Sequence, residues 1–223
     1  MDNDLSFRSQ IDKAVQSASQ MSGWALRSFR GRGKLLMLTI LRSLIQPRLD
    51  YCSQLWSPQD QCSINKLESV QKHFISKILD KELQSKNYWE KLASLKVLSQ
   101  QRRRERAQIC LMWKISQDLV EGYSVQWSWS DRRGRTVIPK NVPSKLPAKV
   151  RRARENSFGV HAAKLFNLLP PHLRNENSGD FALFKNHLDI FLESVPDQPS
   201  VSGLGRPAKS NSLIDQIPLT TIV

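Results

Sequence analysis

Arginine and lysine are the residues of this chain whose type and spacing point to chemistry. Arg102, Arg103, Arg104 and Arg106 fall within five consecutive positions, while Arg132, Arg133, Arg135, Lys149, Arg151, Arg152 and Arg154 recur through a stretch that follows Trp127 and Trp129. Dense cations neutralise phosphates with release of counterions, and indole faces stack on bases for about 1 to 3 kcal/mol each, the combination that single-stranded nucleic acid requires. Two readings stand for each group. The four clustered arginines either meet a phosphate backbone, which would offset their unfavourable place at the positive end of a helix, or form a solvated charged face partly relieved by Glu105. Trp127 and Trp129 either stack on bases or tuck back onto the helical core as a loop anchor. A nuclear address is a third use of Arg151-Arg152-Ala153-Arg154.

Other chemistry is excluded by residue type and spacing. A hydrolase or transferase requires paired carboxylates, a nucleophile with its base, or a glycine-rich phosphate loop. Gly31-Arg32-Gly33-Lys34 lacks the span and the following Ser or Thr of a phosphate loop and reads as a helix stop. His73, His161, His172 and His187 include no i, i+4 pair, and the chain contains no Asp-Asp pair. No metal, no cofactor and no catalytic residue is therefore expected. Cys52 and Cys110 are expected to fill core space rather than react.

The elements that must position these residues are mainly α-helical. Phe7, Ile11, Ala14, Val15, Ala18, Met21 and Ala25 predict an amphipathic helix over 7 to 29, ended by Gly31 and Gly33. Lys34 to Gln46 is apolar nearly all round and predicts a buried helix that Pro47 stops or kinks. Further helices are predicted at about 61 to 80, after a capping box formed by Asn87 and Glu90, and from Ser99 to Leu119. Residues 121 to 156, with Pro139, Pro143 and Pro147, read as a basic irregular connector with one short strand at Thr136 to Ile138. Phe158 to Leu168 and Phe181 to Leu192 predict two short helices, the second capped by Asp180. A disordered tail is expected over 194 to 223. The expected domains are thus 1 to 120, 121 to 156, 157 to 193 and 194 to 223.

Composition supports a polyanionic partner. The 223 residues carry 34 Lys and Arg against 20 Asp and Glu, a net charge of +14, and such an excess favours phosphates. Residues 101 to 156 hold 14 of the cations against 5 acids, whereas 157 to 223 are nearly balanced at 5 against 6. The three cysteines fit neither a zinc ribbon nor a disulfide framework, which implies a reducing compartment. The acidic start lacks an apolar h-region, and the longest apolar run, Leu35 to Ile45, is too short to span a bilayer, so an intracellular protein of nucleus or cytoplasm with no membrane contact is expected.

The order of sequence blocks resembles the region after the palm in reverse transcriptases of LINE-type, jockey-like and CR1-like non-LTR retrotransposons. Asp4-Leu5-Ser6-Phe7 with Ile11 resembles the junction after the palm. Ser43-Leu44-Ile45-Gln46-Pro47-Arg48-Leu49-Asp50-Tyr51-Cys52-Ser53-Gln54-Leu55-Trp56-Ser57-Pro58 looks like the family's helix leading into a Tyr-Cys and Trp-Ser-Pro segment, and Lys66 to Lys72 resembles the next block. Gln101-Arg102-Arg103-Arg104 leading to Met112-Trp113-Lys114-Ile115 is similar to an arginine-rich helix ending in a Tyr-Lys pair, with Trp113 in the tyrosine position. Ser157 to Pro170 is similar to a pattern ending in Trp-Asn-x-Leu-Pro, with Phe166 for Trp, and Phe184 to Leu188 looks like the closing helix. The resemblance covers about residues 4 to 192.

The resemblance implies a thumb-like helical bundle and a C-terminal extension of an RNA-directed DNA polymerase. The fingers and the palm, with the carboxylates that hold two catalytic metals, would precede Met1. The leading expectation is a truncated, non-catalytic relic that binds RNA, DNA or their hybrid without specificity. Two alternatives stand beside it: a helical protein-interaction module using an apolar surface left by the missing palm, and a fragment of a longer active polymerase.

Overall fold

The structure is a computed structural model that describes residues 7–121, 127–130, 136–139, 147–155, 157–176, 179–199 and 210–217. As expected, it is mainly helical. The chain divides into two compact units, residues 1 to 104 and 105 to 223. The boundary lies inside one helix, sixteen residues before the one read from the sequence at 120/121. The apolar residues of that helix explain the difference: Ile109, Met112 and Trp113 belong to the core of the second unit.

In the first unit, α1 (Arg8–Ser28) buries Ile11, Ala14, Ala18, Ser22 and Ala25 at helical spacing. It packs against a π-helical turn at Leu41–Ile45 and α3 (Gln46–Asp50), which continue the run that α2 (Lys34–Ile40) opens. Pro47 neither stops nor breaks this helical run. Proline cannot donate to the carbonyl four residues back and its ring crowds that carbonyl. The chain accommodates it by widening just upstream, where the Gln46 N–H reaches Leu41 O in the π pattern.

Helix α4 (Gln61–Ile75) opens on Asp60, whose carboxylate accepts the Ser63 N–H, and lies against α1 with Leu67, Val70 and Phe74 buried. A short α5 (Lys81–Gln84) follows. The predicted capping box opens α6 (Tyr88–Leu95): Asn87 accepts the Glu90 N–H at 3.0 Å while Glu90 accepts the Asn87 N–H at 2.9 Å.

The second unit continues from α7 (Gln100–Ser116) into the ribbon β1 (Trp127–Ser130) and β2 (Thr136–Pro139), then α8 (Ala148–Glu155), α9 (Phe158–Asn167), α10 (Pro171–Arg174), α11 (Phe181–Ser194) and α12 (Leu213–Gln216). The strands are antiparallel, with Trp129 opposite Val137. Val137 is buried and its two backbone groups are both taken by the Asn167 side chain, which accepts the N–H at 2.9 Å and donates to the carbonyl at 2.8 Å. One asparagine at the end of α9 thus fixes the ribbon to the helical core. Trp113 stacks on Phe184 at 4.8 Å between ring centroids, and Asp180 caps α11 as expected.

Two further expectations require correction. The connector contains the helix α8. The region read as a disordered tail includes α12, where Leu213 is buried and the Glu105 carboxylate accepts the Ser212 hydroxyl at 2.6 Å and the Leu213 N–H at 3.1 Å. A buried acid held by groups 107 and 108 residues away leaves no signal in local composition.

Candidate nucleic-acid interface

The clustered arginines of α7 are turned to internal use. Arg102 is fully buried. Arg103 forms an ion pair with Asp50, its Nε donating to Oδ2 at 3.0 Å. Arg104, 3% exposed, donates from Nη2 to the Leu49 carbonyl at 2.7 Å, and its guanidinium carbon lies 4.1 Å from the centroid of the Trp56 ring. Burial lowers its pKa to about 10, opposed by Asp50 and Glu68, so it remains a cation at neutral pH. In the second unit Arg106 makes a two-pronged pair with Asp189, at 2.5 and 2.7 Å, and that hydrogen bonding raises its pKa. The expected phosphate-binding face is thus corrected for Arg102 and Arg104, which are buried, whereas Arg103 and Arg106 keep part of their side chains at the surface beside Asp50 and Asp189. A buried guanidinium cannot reach a phosphate in solution, and one paired with a carboxylate already has much of its charge met.

The same carboxylates remove the electrostatic reason for expecting a partner anion at the start of α7. Glu68, buried on α4, accepts the Gln100 N–H at 2.8 Å and the Tyr88 hydroxyl. Gln71 extends the network, taking the Gln100 side-chain amide at 2.6 Å and donating to the Leu98 carbonyl at 3.0 Å. An acid at the positive end of the helix dipole stabilises it, and here the chain supplies that acid itself.

Of the extension residues, Arg132, Arg133 and Arg135 lie outside the described residues. Trp127 and Trp129 lie on β1, and Lys149 and Arg152 on α8, but their side chains are outside the description. Arg151 is exposed and 4.0 Å from Glu155 one turn on, and Arg154 is half-buried. Cys52 is exposed with φ of 51°, against the expectation that it fills core space, whereas Cys110 is buried.

An exposed basic surface exists elsewhere, at the turn between α1 and α2. Arg27, Arg30 and Lys34 are exposed and Arg32 is half-buried. No carboxylate pairs with any of the four among the described residues. Trp24, 47% exposed, meets Phe29 edge to face at 6.1 Å. The Leu79 N–H donates to the Arg32 carbonyl at 2.9 Å, which ties the segment after α4, with exposed Lys81 and half-buried Lys77, to this turn. Leu35 and Leu79 stand exposed there.

The signal for this surface is present in the sequence. Residues 13 to 49 contain seven Lys and Arg and not one Asp or Glu. Local density pointed to the arginines of α7. The property that matters for a phosphate site is the absence of a partner acid, which this stretch shares with residues 132 to 154, where nine Lys and Arg stand without an Asp or Glu. The whole first unit carries 18 Lys and Arg against 9 Asp and Glu, the second 16 against 11.

Among the described residues no group of His, Cys, Asp and Glu is placed to hold a metal ion, and no helix is long and apolar enough to cross a membrane. Comparison with protein-family models, with curated proteins and with solved structures gives no match to this chain.

Proposed function

We propose that the protein binds nucleic-acid phosphates without base specificity, through the exposed cations of the α1–α2 turn. The observation that carries this is the group Arg27, Arg30, Arg32 and Lys34, none paired with a carboxylate among the described residues, with the exposed indole of Trp24 close by in sequence. Arg27 is favoured by the negative end of the α1 dipole, and the remaining charges repel one another until a polyanion is bound. Groups free of internal acids release their phosphate's counterions on binding, so each adds to the salt dependence of affinity. The ordered sequence blocks support placing this activity in a relic of a LINE-type reverse transcriptase, non-catalytic by itself, with RNA, DNA or their hybrid as partner.

The test is a titration of a labelled oligonucleotide at increasing salt. Affinity is expected to fall steeply, and replacing Arg27, Arg30, Arg32 and Lys34 together by glutamine is expected to reduce the slope by about 0.7 for each single-strand phosphate that is no longer neutralised. An unchanged slope would overturn the assignment. A second reading, a helical module for a protein partner, is favoured by Leu35, 81% exposed, and Leu79, 62% exposed. It predicts association that persists in high salt and is lost on replacing these leucines by serine.

A further inference from the structure

Ser28, the last residue of α1, is exposed, and its hydroxyl takes part in no hydrogen bond among the described residues. Several other exposed serines turn theirs onto backbone carbonyls: Ser43 donates to Thr39 O at 2.7 Å, Ser69 to Lys66 O at 2.6 Å, Ser76 to His73 O at 2.7 Å and Ser157 to Arg154 O at 2.6 Å. Ser9, Ser17 and Ser85 are exposed as well, but each has an acid within five residues, Asp12 or Glu82. Around Ser28 there is none. Arg27 precedes it, Arg30 follows two residues on, Arg32 and Lys34 come next, and the nearest acids along the chain are Asp12 and Asp50. The length of the chain alone keeps Arg27 and Arg30 within about 7 Å of Ser28 at the backbone.

The segment that follows Ser28 stands open. Residues 29 to 33 belong to no helix or strand, with Phe29 extended at φ −106° and ψ 106° and Gly33 at φ −66° and ψ 149°. A side chain added at Gly31 or at Gly33 would meet nothing within 4 Å. The segment is nevertheless held near both ends, by the edge contact of Phe29 on Trp24 at 6.1 Å and by the Leu79 N–H on the Arg32 carbonyl at 2.9 Å. Exposed, open segments of small residues are where other enzymes reach a folded chain, and the last residue of a helix frays readily. An unengaged hydroxyl thus begins an extended, acid-free, cationic stretch that an acid-lined cleft can enter.

We propose that Ser28 is phosphorylated by an arginine-directed serine/threonine protein kinase, and that its phosphate closes the cationic turn to nucleic acid. The closing effect rests on the phosphate-binding reading given above, whereas the modification does not. Ser28 Oγ forms a bond to the γ-phosphorus of ATP as the bond from that phosphorus to its bridging oxygen breaks. ADP leaves, and the hydroxyl proton passes to the aspartate of the kinase and then to solvent. Phosphoserine carries a charge of about −1.5 to −2 and three acceptor oxygens, so beside Arg27 and Arg30 it supplies the acid that this turn lacks. The negative end of the α1 dipole opposes it with only about half a charge, less than the two nearest cations contribute.

The test treats the purified full-length chain with ATP, magnesium and an arginine-directed kinase, maps the phosphates by mass spectrometry, and titrates both forms with a labelled single-stranded oligonucleotide at several salt concentrations. Ser28 is expected to be modified before any other residue. Phosphorylation should reduce the salt slope by about 1.4, two single-strand phosphates at about 0.7 each, and weaken binding roughly ten- to thirtyfold near 0.1 M salt. Phosphatase should restore the parent affinity. Ser28→Ala, which removes an exposed hydroxyl that holds nothing, should bind as the parent does and keep its affinity after kinase treatment.

Phosphate on other serines with none on Ser28 overturns the modification, and an unmodified chain that still binds the oligonucleotide leaves the phosphate-binding reading standing. A parent salt slope in the Ser28-phosphorylated chain overturns the closing effect, as does an equal loss of affinity in kinase-treated Ser28→Ala. If the unmodified parent binds no oligonucleotide, the phosphate-binding reading fails and takes the closing effect with it.

Discussion

Glu68 accepts the main-chain N–H of Gln100, the first residue of α7, at 2.8 Å, so an acid on α4 supplies the negative charge that the arginine-rich start of α7 requires. Its other carboxylate oxygen takes the Tyr88 hydroxyl. With Asp50 serving Arg103, the charge at this end of the helix is met within the first unit. Arg102 and Arg104 there are buried as scaffold, and around the turn between α1 and α2 Arg27, Arg30 and Lys34 stand exposed.

Replacing Glu68 by glutamine tests this arrangement directly. The amide keeps one acceptor but sets an NH2 group against a donor, either Gln100 N–H or Tyr88 O–H, and removes the charge near Arg104. A buried donor left without an acceptor costs about 1 to 3 kcal/mol. Urea unfolding of the first unit is expected to shift by that amount, with nucleic-acid affinity in native conditions unchanged. A shift below about 0.5 kcal/mol would remove Glu68 from this role.

Ser212→Ala is expected to loosen α12. The variant loses the hydroxyl that Glu105 accepts and the cap that the same oxygen gives to Ile214 N–H at 3.3 Å. Together these are worth about 1 to 2 kcal/mol. Hydrogen exchange at the Gln216 and Ile217 amides, which bond to Ser212 and Leu213 carbonyls, should accelerate roughly five- to thirtyfold. Exchange at the parent rate would show that Leu213 alone holds the segment.

A pH dependence follows from His161. The ring is buried, its Nδ1–H donates to Gln108 Oε1 at 2.8 Å, and burial, helped by Lys164, lowers its pKa to about 4. In the unfolded chain the pKa returns to 6.5. Between these values the unfolded state binds more protons, so stability rises with pH there and declines as pH falls from about 6.5 to about 4. The full difference is on the order of 3 kcal/mol. Exchange protection of the α9 amides should follow this curve, and His161→Gln should flatten the part of it above about pH 5. An identical curve in the variant would assign the loss to other groups.

What was legible in the sequence was local. The capping box of Asn87 and Glu90, the cap at Asp180 and the apolar spacing of α1 each depend on residues within one or two turns, and the structure has all three. The partners of charged groups were not legible, because they are distant: Asp50 is 53 residues from Arg103, and Glu105 is 107 from Ser212. A run of arginines reads alike whether an acid awaits it in the core or a phosphate in solution. The exposed turn from Arg27 to Lys34 was overlooked for another reason. Its four cations in eight positions are as dense as those of the connector, but Gly31 and Gly33 among them read as a helix stop.

Arg104 offers the sharpest separation between structural and binding arginines. Its planar group stacks on Trp56 while one nitrogen reaches the Leu49 carbonyl, a geometry that an ammonium on a flexible stem does not reproduce. Arg104→Lys keeps the charge and is expected to lose the stacking and to destabilise the first unit by about 1 to 3 kcal/mol. Arg104→Ala also leaves the acids near it, Asp50 and Glu68, without that cation and should cost about 3 to 5 kcal/mol, as removal of one partner from a buried charge cluster does. Arg30→Lys, on the exposed turn, should change neither stability nor the salt slope, since a phosphate accepts either cation there. If Arg104→Lys were as stable as the parent and bound nucleic acid more weakly, the distinction between the two sets of arginines would be wrong, and the start of α7 would have to be restored to the interface.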